Sequence, residues 1–165
     1  IRYRYIMFKS ELVNNPVFTG MTGDQMDQIF PLMELCQYPQ DHLIFQQGQK
    51  AEYLYILLKG EVIIRYKPYD GPPLDIAHIE PDGVFGWSST LGRSTYTSAA
   101  VTATETVAYR IGSRQLSWLC QLFPRTGVIL LHKLANVISQ GLTETQSQVF
   151  DMLSQGVFIS NGRKG

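Results

Sequence analysis

The sequence predicts a mainly β protein with flanking helices: a double-stranded β-helix, jelly-roll-like, followed by a long C-terminal helix. Three observations predict it. Residues 38–112 hold six short runs rich in Val, Ile, Tyr and Thr, set at regular intervals and separated by Gly-, Pro- and Asp-containing turns. Before them, apolar residues recur at three- and four-residue spacings, and after them that periodicity returns over a much longer stretch. A chain of 165 residues, 44% hydrophobic and 12% aromatic, is long and apolar enough to bury one core, so residues 1–165 read as a single domain.

Residues 7–37 read as a helical lead-in. Asn14, Asn15, Pro16, Gly20 and Gly23 punctuate it. Met26, Ile29, Phe30 and Met33 then share one helix face, with Thr22 or Asp24 as the cap and Pro31 as a kink or division. The roll follows over 38–112. Its strands are "HLIF", "EYLYILL", "EVIIRY", "LDIAHI", "SAAVTA" and "TVAYRI", and Lys59–Gly60 joins the second and third as a tight hairpin. One segment breaks the alternation: "GWSSTLGRSTY" carries small hydroxyl residues directly after Gly86 and reads as a short helix near 87–92.

Residues 113–156 return to helix. Ser113 caps "RQLSWLCQLF", and Pro124 ends that segment or opens the next. Leu131, Ala135, Ile138, Leu142, Thr145, Val149 and Met152 then follow at alternating spacings of four and three, the core positions of a heptad seam. Such a seam can dock one helix on a barrel, or it can pair two copies of the chain. Its length favours a homodimer through this helix.

With that order of elements the residues resemble a family. "LIFQQGQKAEYLYILLKGEVIIRY", then "IEPDGVFG", then a long terminal helix, is similar to the cyclic nucleotide-binding domain of bacterial catabolite-activator-type regulators, over residues 18–155. Gly48, Gly60, Gly83 and Gly86 fall in the family's order and spacing. Each also has a local reason: Gly48 and Gly60 sit at sharp reversals, Gly83 in a Pro-Asp-Gly turn, and Gly86 ahead of a helix start whose bare N–H groups can face an anion. For Gly86, ligand approach and a plain turn stand as equal readings.

The resemblance implies a phosphate-binding cassette after Phe85–Gly86. It places a glutamate for the ribose hydroxyls directly after that glycine, and an arginine for the cyclic phosphate some ten residues on. Here those positions hold Trp87 and, within two residues, Thr97. An arginine–phosphate pair contributes roughly 1.5–3 kcal/mol. Losing it and the carboxylate together weakens a cyclic nucleotide site by roughly a hundredfold to ten-thousandfold. The resemblance therefore implies a regulatory site that does not bind cyclic AMP in the usual way. The "GWSS…TYTSA" pattern also resembles standalone bacterial proteins of the same superfamily.

Candidate ligand-binding residues are Gly86, Trp87, Ser88, Ser89, Arg93, Tyr96, Thr97 and Ser98. Arg93 is a candidate replacement for the missing charge or a solvated loop residue. Trp87 is a core or pocket-wall residue or a stacking platform. The hydroxyls bind a polar ligand or cap the short helix. The ligand itself stays open between a cyclic nucleotide and another small anionic or polar molecule, and no resident cofactor is expected.

Composition narrows the partners and the chemistry. Fourteen basic and fourteen acidic residues leave no net charge, unlike the basic face of a nucleic-acid binder. Beyond Gly156 too few residues follow for a DNA-reading module, so this chain is not expected to bind DNA directly, although it can be one domain of a longer product. "IRYRYIMF" is no signal peptide; Met7 is a possible start, or an upstream portion precedes it. No apolar run reaches membrane-spanning length. Cys36 and Cys120 form no CxxC pair and suit reduced thiols in the cytoplasm. His42, His78 and His132 are isolated and build no metal site, and no nucleophile or paired-carboxylate motif appears. The reading is a non-enzymatic small-ligand sensor that signals through the long helix. The alternative is a ligand-free dimerisation module that kept the fold.

Overall fold

The computed structural model describes residues 10–88 and 93–141. Helix α1 (Gly23–Ile29) opens on Thr22. Its hydroxyl accepts the Gln25 N–H while the Gln25 side chain accepts the Thr22 N–H, a reciprocal cap that satisfies two otherwise orphaned donors. Pro31 tightens the next three residues into a 3-10 turn, Phe30–Leu32, and the helical lead-in ends there. The reading of 7–37 as helical is corrected at its C-terminal end: Met33–Tyr38 is strand β1, paired antiparallel to the last strand. Its alternation, Met33 and Leu35 inward with polar residues between, suits a half-covered strand.

Among the described residues seven further strands follow: β2 (Leu43–Phe45), β3 (Tyr53–Lys59), β4 (Val62–Tyr66), β5 (Leu74–Ile79), β6 (Val84–Phe85), β7 (Ala99–Thr102) and β8 (Thr106–Gly112). They form two four-stranded sheets, in the orders β1-β8-β3-β6 and β2-β7-β4-β5. The expected hairpin at Lys59–Gly60 is therefore a crossover, because β3 and β4 belong to different sheets. Gly60 makes the crossing possible. Its φ is +93°, and a Cβ there would lie 2.4 Å from the Glu105 carbonyl oxygen.

This topology creates two cores. One lies between the first sheet and the helices, and holds Leu12, Val17, Phe18, Ile29, Leu54, Ile56, Tyr109, Ile111, Leu130 and Leu134. The other fills the roll between the sheets, with Phe45, Tyr55, Leu57, Val62, Phe85, Tyr96, Ala100 and Ala108. Strand β3 feeds both: Leu54 and Ile56 face the helices, while Tyr55 and Leu57 face the roll. Burial on both faces is why "YLYILL" reads as a continuous apolar run.

Helix α2 (Ser113–Leu122) follows β8. Its N-cap is Gly112 with no side-chain hydrogen bond, so Ser113 is the first helical residue and not the cap; its N–H donates to the Glu52 carbonyl at 2.9 Å. After Phe123, helix α3 runs over 124–141, with Pro124 at its first position, where the missing N–H costs no hydrogen bond. Among the described residues no helix is long and apolar enough to cross a membrane.

Candidate functional site

Strand β6 delivers the chain to the site. It pairs with β3 through Tyr55 and Ile56, and the turn before it is held from two sides. Gly83 N–H donates to the Glu80 carbonyl at 2.9 Å, closing a type II turn with Pro81 and Asp82 at its centre. The positive φ of that turn, +74°, falls on Asp82 and not on Gly83. The Asp82 carboxylate accepts a 3.0 Å hydrogen bond from the Asn15 side chain, and Asn15, 2% exposed, also accepts the Val17 N–H. The lead-in is thus bolted to the turn that precedes the site. Asn14–Asn15–Pro16 looks like a loop in sequence, and nothing local reveals a bond to a residue 67 positions away.

Gly86 is a structural requirement. Its φ is +73°, and a Cβ would sit 3.0 Å from both the Tyr53 carbonyl oxygen and a Tyr55 ring carbon. Trp87 and Ser88 have 3-10 conformation. Trp87 is half-buried and packs against the core between sheet and helices. Ser88 is buried, and its carbonyl accepts the Arg93 N–H at 3.3 Å. Ser89 lies outside the described residues.

The segment after residue 92 lies along the loop that follows β2. Ser94 and Tyr96 carbonyls accept the Ala51 and Gly48 N–H groups, at 2.9 and 2.8 Å, and the Tyr96 N–H donates to Gln49. Arg93 and Thr97 are exposed and Ser98 is half-buried. Tyr96 turns the other way, into the roll. Its ring lies 3.7 Å from that of Phe45 at 14°, and its hydroxyl donates to the Tyr53 carbonyl at 2.7 Å while accepting the Tyr53 N–H. Burial pushes the Tyr96 phenol up to about 12. Phe45, Tyr55 and Phe85 complete an aromatic stack that fills this end of the roll. Beyond Tyr53, the Arg110 guanidinium sits 4.0 Å from the Tyr53 ring centroid and pairs with Glu34.

The predicted residues therefore divide. Thr97, Ser98 and Arg93 lie on the accessible side of the segment, whereas Trp87 and Tyr96 are anchors in two different cores. The seam on α3 divides as well. Leu130 and Leu134 dock the helix on the body of the protein, one position away from the seam residues Leu131 and Ala135, which are exposed; Ile138 is half-buried against the core. Leu142, Thr145, Val149 and Met152 lie outside the described residues.

Comparison with known proteins agrees with this architecture. The chain is 25% identical over 140 residues to the Cyclic AMP receptor protein of Thermus thermophilus, covering 85% of this chain and 62% of the relative. It spans about three fifths of the length of the curated relatives it matches. A cyclic nucleotide-binding domain from Methylobacillus flagellatus superposes with a TM-score of 0.81 at 17% identity, covering 88% of this chain and 84% of that one. The regulatory subunit of a cAMP-independent protein kinase A from Trypanosoma cruzi, bound to guanosine, superposes with a TM-score of 0.68 at 17% identity, covering 94% and 52%. The sequence profile of the Cyclic nucleotide-binding domain matches residues 35–122, more than half of the chain, and with the two-sheet roll and its flanking helices this makes the protein a member of the cyclic nucleotide-binding domain family.

Proposed function

We propose that this chain is a non-enzymatic, cytoplasmic regulatory domain that binds a small uncharged or weakly charged ligand, such as a nucleoside, at the segment around Gly86–Ser98. A homodimer would carry its signal through the long helix. The observation that carries this reading is the chemistry at the two positions where the resemblance expects ligand-reading charges. Trp87 is packed into a core, and Thr97 offers an exposed hydroxyl where a guanidinium would neutralise phosphate. Ser98 and Thr97 suit sugar or base hydroxyls and amides better than a phosphodiester. A neighbour of the same fold, described as cAMP-independent and bound to guanosine, supports the ligand class. The outward Leu131 and Ala135, set beside a separate docking stripe, support the dimer.

Isothermal titration with guanosine, adenosine, cyclic AMP and cyclic GMP tests the ligand class. Binding of a nucleoside, with cyclic nucleotides weaker, is the expected result. Thr97→Arg should raise cyclic AMP affinity by roughly tenfold to a hundredfold, the worth of one charge-assisted phosphate contact. Tight cyclic AMP binding by the unaltered protein would refute the proposal. The aromatic filling of the roll favours a second reading, a ligand-free interaction module; silence toward every compound together with a stable dimer would select it.

A further inference from the structure

We propose that the outer face of helix α2 binds a small amphipathic carboxylate, with Arg114 taking the anionic head and Trp118 the apolar body. The site goes beyond the regulatory reading of the Gly86–Ser98 segment and uses none of its candidate residues. Helix α2 docks on the body of the protein through buried Leu116 and Leu119. Arg114, Trp118 and Leu122 follow one another at four-residue spacing on a different face, a stripe about 12 Å long. Trp118 and Leu122 are 47% and 54% exposed, so this apolar surface is not used to hold the helix in place. Beside the stripe lies a crevice. Leu32, Arg114, Gln115 and Trp118 line a hollow of about 350 Å³ between α2 and the 3-10 turn that ends the lead-in. That volume falls within the roughly 300–1,000 Å³ of small-ligand sites. Its apolar wall is fixed: Phe123 meets Trp118 edge-on with ring centroids 6.5 Å apart, and Phe123 and Leu32 both pack against the core.

Charge selects the occupant. Arg114 is exposed, and among the described residues no ion pair engages it. Glu52, the carboxylate that feels its field, is itself paired with Lys50 at 2.9 Å. An uncommitted cation at one end of an apolar stripe complements a molecule with one anionic group and an apolar tail. The planar guanidinium matches a carboxylate head. An alkyl or aryl body covers the indole and reaches toward Leu122, which removes apolar surface from water. Because Arg114 stays near solvent, the charge pair discriminates between ligands more than it holds them, and the indole supplies most of the affinity. A nucleoside lacks the anionic group, and a cationic amphiphile meets Arg114 with like charge.

Isothermal titration of the full chain with decanoate and with decylamine, each below its micelle concentration, tests the site. Decanoate should bind saturably and about tenfold more tightly than decylamine, which carries the same chain and the opposite charge. Arg114→Glu should reverse that order. Trp118→Ala should weaken decanoate by about tenfold or more. Both side chains are exposed, so neither substitution should move the melting temperature by more than a degree or so. In protein labelled with fluorotryptophan, the resonance that is lost in Trp118→Phe should move along the decanoate titration. Absence of saturable binding, equal affinity for the two amphiphiles, an order that survives Arg114→Glu, or a shift at Trp87 alone would each overturn the proposal.

Discussion

Gly86 carries the sharpest constraint on any single residue. An alanine there enters the left-handed region, which costs about 1–2 kcal/mol, and its methyl meets Tyr53 and Tyr55 at contact limits. Gly86→Ala should lower the urea midpoint accordingly, with an unchanged slope. Asn15→Ala leaves the Val17 N–H and the Asp82 carboxylate without their partner and should cost about 1–3 kcal/mol by the same measurement. Tyr96 adds a pH dependence. Its folded phenol titrates near 12 and the unfolded one near 10, so its contribution is complete below pH 10 and is lost as pH rises toward 12. Burial raises Tyr38 and Tyr55 in the same direction. Melting temperature should therefore fall steeply above pH 10, and less steeply in Tyr96→Phe. Gly86 was legible because it falls in the resembled family's order of glycines and stands between a strand and a helix start. The Tyr96 anchor was not, because "STYTSAA" alternates no differently whether its tyrosine faces a ligand or a core.

Helix α3 shows what an element's periodicity can and cannot decide. Residues 127, 130, 134 and 137 and residues 128, 131, 135 and 138 are both helical stripes, one residue apart, and sequence spacing alone does not say which one meets the barrel. The structure assigns Leu130 and Leu134 to the body, 2% and 3% exposed, and leaves Leu131 42% exposed. Two substitutions should then behave oppositely. Leu134→Ala should cost about 2–5 kcal/mol of stability, read by thermal or urea unfolding. Leu131→Asp should leave unfolding almost unchanged and halve the mass seen by light scattering; a dimer that survives it would refute pairing through this face. Strand β1 teaches the converse lesson. "MELCQY" follows an amphipathic helix in phase, and only pairing with β8 makes it a strand.

At the scale of the molecule, the separation of the two cores should be measurable. Val62→Ala and Leu134→Ala lie in different clusters, so their destabilisations should add within about 0.5 kcal/mol; a larger coupling would show one merged core. The run of β-type segments between two helical zones, the turn glycines and the long terminal periodicity were enough to determine a jelly-roll-like domain with flanking helices, because each rests on short-range sterics and on the match between apolar spacing and secondary-structure period. The tertiary structure alone decided that β3 and β4 part into separate sheets at Gly60, that Asn15 holds Asp82, and that Trp87 and Tyr96 point into different cores. Those outcomes depend on which surfaces meet across distant parts of the chain, and the free energy of such contacts is written in no local pattern.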